Sequence, residues 1–155
     1  MMIEPGDPVP DVALEGPDGT RISPADFIGQ KLVLYFYPKD DTSGCTREAQ
    51  DFSALAAEFE AAGTWVLGVS KDSPASHGKF TAKHGLKVKL ASDSDGSACQ
   101  AFGTWTEKSM YGRKYMGIER ATFLIDRDGT VAQVWRKVKV PGHAEAVLAA
   151  ARELP

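Results

Sequence analysis

After Gly29 and up to Pro38 the chain runs Leu32-Val33-Leu34-Tyr35-Phe36-Tyr37, apolar at every step. A half-buried strand alternates polar and apolar side chains, so an unbroken run of this length fits a strand covered on both faces. It belongs in the middle of a sheet. Trp65–Val69 repeats the pattern. Between the two runs, Ala49, Phe52, Leu55, Ala56 and Phe59 recur at helical spacing within Thr46–Ala62, and Gly63 stands where a C-cap belongs. Ser73-Pro74 opens a second helix that reaches about His84 and ends at Gly85.

The remaining segments fill out the same layers. Val12–Leu14, the turn Gly16-Pro17-Asp18-Gly19 and Arg21–Ile22 read as a short hairpin, and Ser23-Pro24 as an N-cap with proline at the first helical position. Val88–Leu90 is a short strand, and Ser97–Phe102 a short helix after the Asp93-Ser94-Asp95-Gly96 turn. Ala121–Ile125 and Val131–Trp135 pair across Asp126-Arg127-Asp128-Gly129, and His143–Leu154 closes the chain as a helix. Thr104–Gly117 carries no readable period. Alternating strands and helices followed by an antiparallel pair predict an α/β fold, a mixed central sheet with helices on both faces, in one domain over residues 1–155.

With 18 basic against 21 acidic side chains, the chain lacks the positive field that nucleic acid or anionic lipid selects. The N-terminus Met-Met-Ile-Glu-Pro-Gly-Asp has neither the charge nor the apolar run of a secretory signal, and no stretch is long enough to span a bilayer. A cytoplasmic location is expected. The two cysteines, Cys45 and Cys99, form no CxxC pattern, which argues against a disulfide scaffold, a zinc cage and a dithiol exchanger. His77, His84 and His143 have no metal-ligand spacing and read as surface histidines; Arg136, Lys137 and Lys139 read as a solvated edge.

The chemistry concentrates in Pro38-Lys39-Asp40-Asp41-Thr42-Ser43-Gly44-Cys45, between the C-terminal end of the central strand and the start of a helix, where open α/β sheets bind ligands. With Thr42 or Ser43 as N-cap, Cys45 falls in the first helical turn, where free amides and the helix dipole favour a sulfur anion. Ionisation alone achieves little. Complete ionisation of a thiol of pKa about 8.5 gains roughly 30-fold at pH 7, and the accompanying loss of nucleophilicity returns roughly tenfold. The balance must come from donors that orient a substrate and stabilise its leaving oxygen. Thr42 offers a hydroxyl, Cys45 its own amide, and Arg120, just ahead of the strand Ala121–Ile125, a guanidinium.

These features resemble the peroxiredoxins of the bacterioferritin-comigratory, or Q-type, subfamily. Pro5-Gly-Asp-Pro-Val-Pro-Asp, Tyr35-Phe-Tyr-Pro-Lys-Asp-Asp-Thr-Ser-Gly-Cys-Thr, Leu67-Gly-Val-Ser, Met110-Tyr-Gly-Arg-Lys-Tyr-Met-Gly-Ile-Glu-Arg and Thr122-Phe-Leu-Ile-Asp carry the resemblance over nearly the whole chain. It implies a thioredoxin-like fold, reduction of hydrogen peroxide and organic hydroperoxides through a Cys45 sulfenic acid, no metal or organic cofactor, and thioredoxin, glutaredoxin or a similar thiol as reductant. A monomer is expected, with a dimer as the alternative. By the same resemblance Cys45 is the peroxidatic cysteine, Thr42 the hydroxyl that contacts thiolate and peroxide, Pro38 the ring that shields the pocket, Arg120 the activating arginine and Glu48 an acid bracing it.

Relatives often carry a resolving cysteine five residues after the peroxidatic one or on the next helix; here Gln50 and Thr81 stand there. Residues five apart in a helix lie roughly 8.5 Å apart, beyond the roughly 7 Å a disulfide bridges, so that arrangement requires unwinding. The chain is therefore read as a one-cysteine enzyme whose sulfenate meets an external thiol. Cys99, beside Ala98 and Phe102, reads as a small buried hydrophobe, with a resolving role as its alternative. A thiol–disulfide oxidoreductase and a non-catalytic binding or chaperone module are the competing functions.

Overall fold

The structure, a computed structural model, describes residues 3–155; Met1 and Met2, where the reading of the N-terminus begins, lie outside the described residues. The central run forms β3 (Lys31–Phe36), buried at every position as its lack of alternation requires. It pairs in parallel with β4 (Thr64–Ser70), which pairs in parallel with β5 (Lys89–Ser92). On its other side β3 meets β8 (Ala121–Ile125) antiparallel, and β8 meets β9 (Val131–Trp135). The short hairpin of β1 (Leu14–Glu15) and β2 (Arg21–Ile22) extends the far edge through Glu15 and Ser92, giving the order β2-β1-β5-β4-β3-β8-β9.

Residues 43–61 fold as two helices, α1 (Ser43–Ala54) and α2 (Ala56–Ala61), instead of the single helix Thr46–Ala62 that the spacing predicts. The break falls at Leu55, whose amide bonds back to Phe52 and tightens the turn. Phe52 and Phe59 are both buried across it, with ring centroids 5.8 Å apart. α3 (Pro74–His84) opens on the Ser73 cap and ends on Gly85 in the left-handed region, as its sequence predicts. α4 (Ser97–Ala101) and α5 (His143–Glu153) complete the helices.

The sheet divides the core by residue parity. Leu32, Leu34 and Phe36 face one cluster, with Phe102, Ile118 and Phe123; Val33, Tyr35 and Tyr37 face the other, with Phe52, Phe59, Phe80 and Val147. Because β3, β4 and β5 are added in one direction, right-handed crossovers lay α1 to α3 on the same face. α5 joins them, while α4 and the N-terminal segments cover the opposite face. The stretch Thr104–Gly117, unreadable from sequence, is largely a two-stranded ribbon of β6 (Trp105–Met110) and β7 (Arg113–Ile118) apart from the main sheet. Tyr111 and Gly112 turn it with φ of 52° and 79°, the positive values that a two-residue hairpin loop requires. No described helix is long and apolar enough to cross a membrane.

Candidate active site

Where β3 ends, Pro38–Thr42 form a loop that enters α1, with Thr42 as its N-cap residue and Cys45 in the first turn. The Thr46 amide is the first to close a helical bond, onto the Thr42 carbonyl at 2.8 Å. The amides ahead of it are left unused by the helix. Thr42 does not cap them with its side chain: its hydroxyl donates to the Lys39 carbonyl at 2.9 Å. The helix end therefore keeps its donors for another acceptor.

Cys45 is only 2% exposed. Arg120 reaches it because β8 runs antiparallel to β3, pairing Ala121 with Phe36 and so bringing the start of one strand beside the end of the other. An Arg120 Nη2–H donates to Cys45 Sγ at 3.3 Å, while Nη1–H donates to Glu48 Oε1 at 2.6 Å. Cys45 and Glu48 sit three apart on α1 and so share the face that meets the guanidinium. Gly44 makes room for it: a Cβ there would lie 3.2 Å from Arg120 Nη2.

Burial pushes the Glu48 carboxyl up to about 7, and the Arg120 charge and hydrogen bond hold it down only in part. Its second oxygen has no hydrogen-bond partner among the described residues. For Arg120, burial works against the charge, but Glu48 and Cys45 outweigh it and raise the guanidinium above its ordinary value. Tyr35 stacks on Phe52 at 4.7 Å beneath the site, and burial, with the charges of Glu48 and Cys45, pushes its hydroxyl well up. Pro38 is half-buried at the head of the loop and Thr42 exposed at its end.

Thus Cys45, Arg120 and Glu48 are brought into contact, and Pro38 and Thr42 lie on the adjoining loop. Cys99 is not among them. It is fully buried in the cluster of Leu34 and Phe36, whereas Cys45 belongs to that of Val33 and Tyr35, so the sheet lies between the two sulfurs. Burial, then the hydrogen bond and charge of Asp93, push the Cys99 thiol up.

Three polar residues read as surface groups are buried or half-buried. His77 bonds Asp40 at 2.8 Å and the Ala91 carbonyl at 3.1 Å, and His143 bonds the Thr122 hydroxyl at 2.8 Å. Burial, then the Arg120 charge, lower His143 to about 4. Arg136, just past β9, donates to the Gly103 carbonyl at 2.6 Å and pairs with Glu119 at 3.0 Å, so it binds the segments that flank the ribbon instead of facing water. The signal for His77 was its spacing with Phe80 and His84, three and seven residues on. His84 matches its reading more nearly, meeting Asp41 at 2.8 Å in an exposed cluster.

Lys108 escaped the sequence reading. It is half-buried on β6 with its stem over Gly117, and burial, then the Arg120 charge, lower its ammonium, while Cys45 pulls the other way. No described cluster of His, Cys, Asp and Glu has the geometry to hold a metal. A groove of about 720 Å³ between α2, α3, β4 and β5 is lined by Phe59, Trp65, Thr81 and Leu86, and by neither Cys45 nor Arg120.

Residues 5–134 match the AhpC/TSA family. A Xanthomonas campestris protein named Peroxiredoxin Bcp is 53% identical over 140 residues, 90% of this chain and 88% of the relative. Its Bacillus subtilis namesake is 44% identical over 154 residues, 99% and 98% of the two chains. Among solved structures, the Xanthomonas campestris bacterioferritin comigratory protein, studied for its alkyl peroxide reduction activity, superposes with a TM-score of 0.87 at 51% identity, covering 92% of this chain and 90% of that one. A Xylella fastidiosa PrxQ variant reaches 0.93 at 43% identity, covering 99% and 98%. The fold is thioredoxin-like, and the chain belongs to the AhpC/TSA family and, within it, to the bacterioferritin-comigratory, Q-type peroxiredoxins.

Proposed function

We propose that this thiol peroxidase reduces hydrogen peroxide and organic hydroperoxides through the Cys45 sulfur, with an external thiol as reductant. The observation that carries the reading is the Arg120 Nη2–H pointing at Cys45 Sγ from 3.3 Å beside an uncapped helix N-terminus. A guanidinium and a helix N-terminus thus stand beside one sulfur. The thiolate attacks the terminal oxygen of the hydroperoxide; the S–O bond forms as the O–O bond breaks, and sulfur is oxidised to a sulfenic acid. The departing alkoxide or hydroxide takes a proton from solvent and leaves as alcohol or water. Arg120 and the free amides of residues 43–45 stabilise that oxygen, Thr42 contributes its hydroxyl, Pro38 limits water, and Glu48 holds the guanidinium.

For the return step, an external thiol displaces water from the sulfenic acid to form a mixed disulfide, and a second thiol releases Cys45. Supporting a one-cysteine route are Gln50 and Thr81 at the positions where relatives carry a second cysteine, and the placement of Cys99 across the sheet. Thioredoxin, glutaredoxin or a similar dithiol fits the donor.

Peroxide consumption with dithiothreitol by wild type and Cys45→Ser tests the reading: activity lost on substitution is expected, and equal activity would sink it. Peptide mapping after one equivalent of peroxide tests the route. A Cys45 sulfenic acid trapped without a Cys45–Cys99 bridge is expected, and that bridge in high yield refutes it. Without a neighbouring thiol, Cys45 should advance readily to sulfinic acid when reductant is scarce.

A further inference from the structure

Asp40 lies in the Pro38–Thr42 loop, yet its side chain is only 4% exposed. Its Oδ1 accepts from the Tyr37 hydroxyl at 2.6 Å, and its Oδ2 from the Ser76 hydroxyl at 2.7 Å and from His77 Nδ1 at 2.8 Å. The Asp40 amide donates to Asp72 Oδ2 at 2.8 Å, an oxygen that also accepts the Ser70 hydroxyl at 2.7 Å. One loop residue is thereby bonded to the β4–α3 turn and to α3, and through Asp72 it is linked to the end of β4.

His77 is held from both sides of its ring. Opposite the Asp40 contact, Nε2 faces the Ala91 carbonyl at 3.1 Å. Burial pushes the Asp40 carboxyl up, but the hydrogen bonds from His77, Tyr37 and Ser76 outweigh it and hold the group below its ordinary value. His77 Nδ1 also lies 3.3 Å from the Tyr37 hydroxyl, so three side chains meet at one point. The His77–Asp40 contact is sealed at 1% and 4% side-chain exposure.

Such a buried polar contact is a modest source of stability, because each group gives up its bonds to water to make it. What it does supply is direction. Cys45 stands five residues after Asp40 and Thr42 two, whereas Arg120 arrives separately on β8, so the 3.3 Å approach of guanidinium to sulfur depends on two independent anchors. We propose that Asp40 and His77 are positioning residues for Cys45: their buried pair pins the Pro38–Thr42 loop to α3 and so sets where the thiolate and the Thr42 hydroxyl stand relative to Arg120. Neither touches the sulfur. This inference rests on the peroxidase reading above.

The test compares the rate of Cys45 oxidation by hydrogen peroxide with its alkylation by iodoacetamide across pH, in wild type, Asp40→Asn, His77→Gln and Ser76→Ala. Displacement on the order of 1 Å loses up to about 100-fold in a reaction that requires alignment. Asp40→Asn and His77→Gln are expected to lose about 10- to 100-fold in oxidation, with alkylation of the ionised thiol within about twofold of wild type. Ser76→Ala should fall between, and Lys83→Gln, which loosens only the exposed contact to Asp41, should stay near wild type. A purely structural role would lower the melting temperature and leave the two rates in their wild-type ratio.

Folded Asp40→Asn and His77→Gln proteins that peroxide oxidises at the wild-type rate overturn the proposal. Should Asp40→Asn not fold, unchanged rates in His77→Gln and Ser76→Ala overturn it equally. A wild-type Cys45 that peroxide leaves unoxidised removes the peroxidase reading and this one with it; an oxidised wild type with unaffected variants removes this one alone.

Discussion

Gly44 separates activity from stability at a single atom. It lies within α1, where alanine is favoured over glycine by roughly 1 kcal/mol, yet a Cβ there would stand 3.2 Å from Arg120 Nη2. Gly44→Ala is expected to melt no lower than wild type while losing about tenfold in kcat/KM for peroxide, because the guanidinium must retreat from Cys45. Glu48 yields a second prediction, with its sign set by burial. A carboxyl raised from 4.5 to about 7 stabilises the fold while protonated; that contribution is whole below pH 4.5 and lost as pH rises through about 7. His143 has the opposite sign, contributing above 6.5 and losing it as pH falls toward about 4. Both wild type and Glu48→Gln retain His143, so the difference between their urea unfolding curves isolates Glu48. Wild type should lose up to roughly 3 kcal/mol relative to the variant between pH 4.5 and 8, and an unchanged difference would refute the assignment.

At the scale of the elements, β3 and β4 are joined in a register that leaves one position no slack. Gly68 pairs with Tyr35, and a Cβ on it would meet Tyr35 Cζ at 2.6 Å and Leu90 Cδ2 at 2.8 Å. Both neighbours are buried and cannot swing into water. Gly68→Ala should therefore lower stability by about 1–3 kcal/mol through overpacking. The Tyr35 hydroxyl has no hydrogen-bond partner among the described residues, so Tyr35→Phe is expected to stay within about 1 kcal/mol of wild type or to gain. Denaturant midpoints at constant slope check both. The ribbon of β6 and β7 escaped the sequence reading because much of it faces water on both sides. Its strands alternate weakly, and Met110, Tyr111, Tyr115 and Met116 are exposed. The break at Leu55 escaped for the opposite reason, since the apolar spacing continues across it.

Over the whole molecule, the sheet keeps two cores apart and with them the two thiols. One holds Cys45 against Ala49 and Phe52, the other Cys99 against Ala98 and Phe102. Cys99→Ala should reduce stability by about 1–2 kcal/mol, through lost packing and the hydrogen bond to Asp93, and leave the peroxidase rate within about twofold. A large loss of turnover in a variant that still melts cooperatively would give Cys99 a part in the cycle.

Local pattern by itself determined the layers and the reactive corner. The unbroken run from Leu32 to Tyr37 dictated a strand buried on both sides. Glycine-flanked Cys45, just after Thr42, marked a sulfur at a helix mouth. Only tertiary structure decided which charges meet. Arg120 and Cys45 lie 75 residues apart in sequence, and their contact depends on Phe36 pairing with Ala121; a slip of one residue would turn Arg120 to the other face of the sheet. The burial of Glu48, and of Asp40 with His77, is likewise invisible to periodicity. Apolar spacing records which face of an element is covered, whereas the partner that makes a buried charge tolerable arrives from a distant strand or helix.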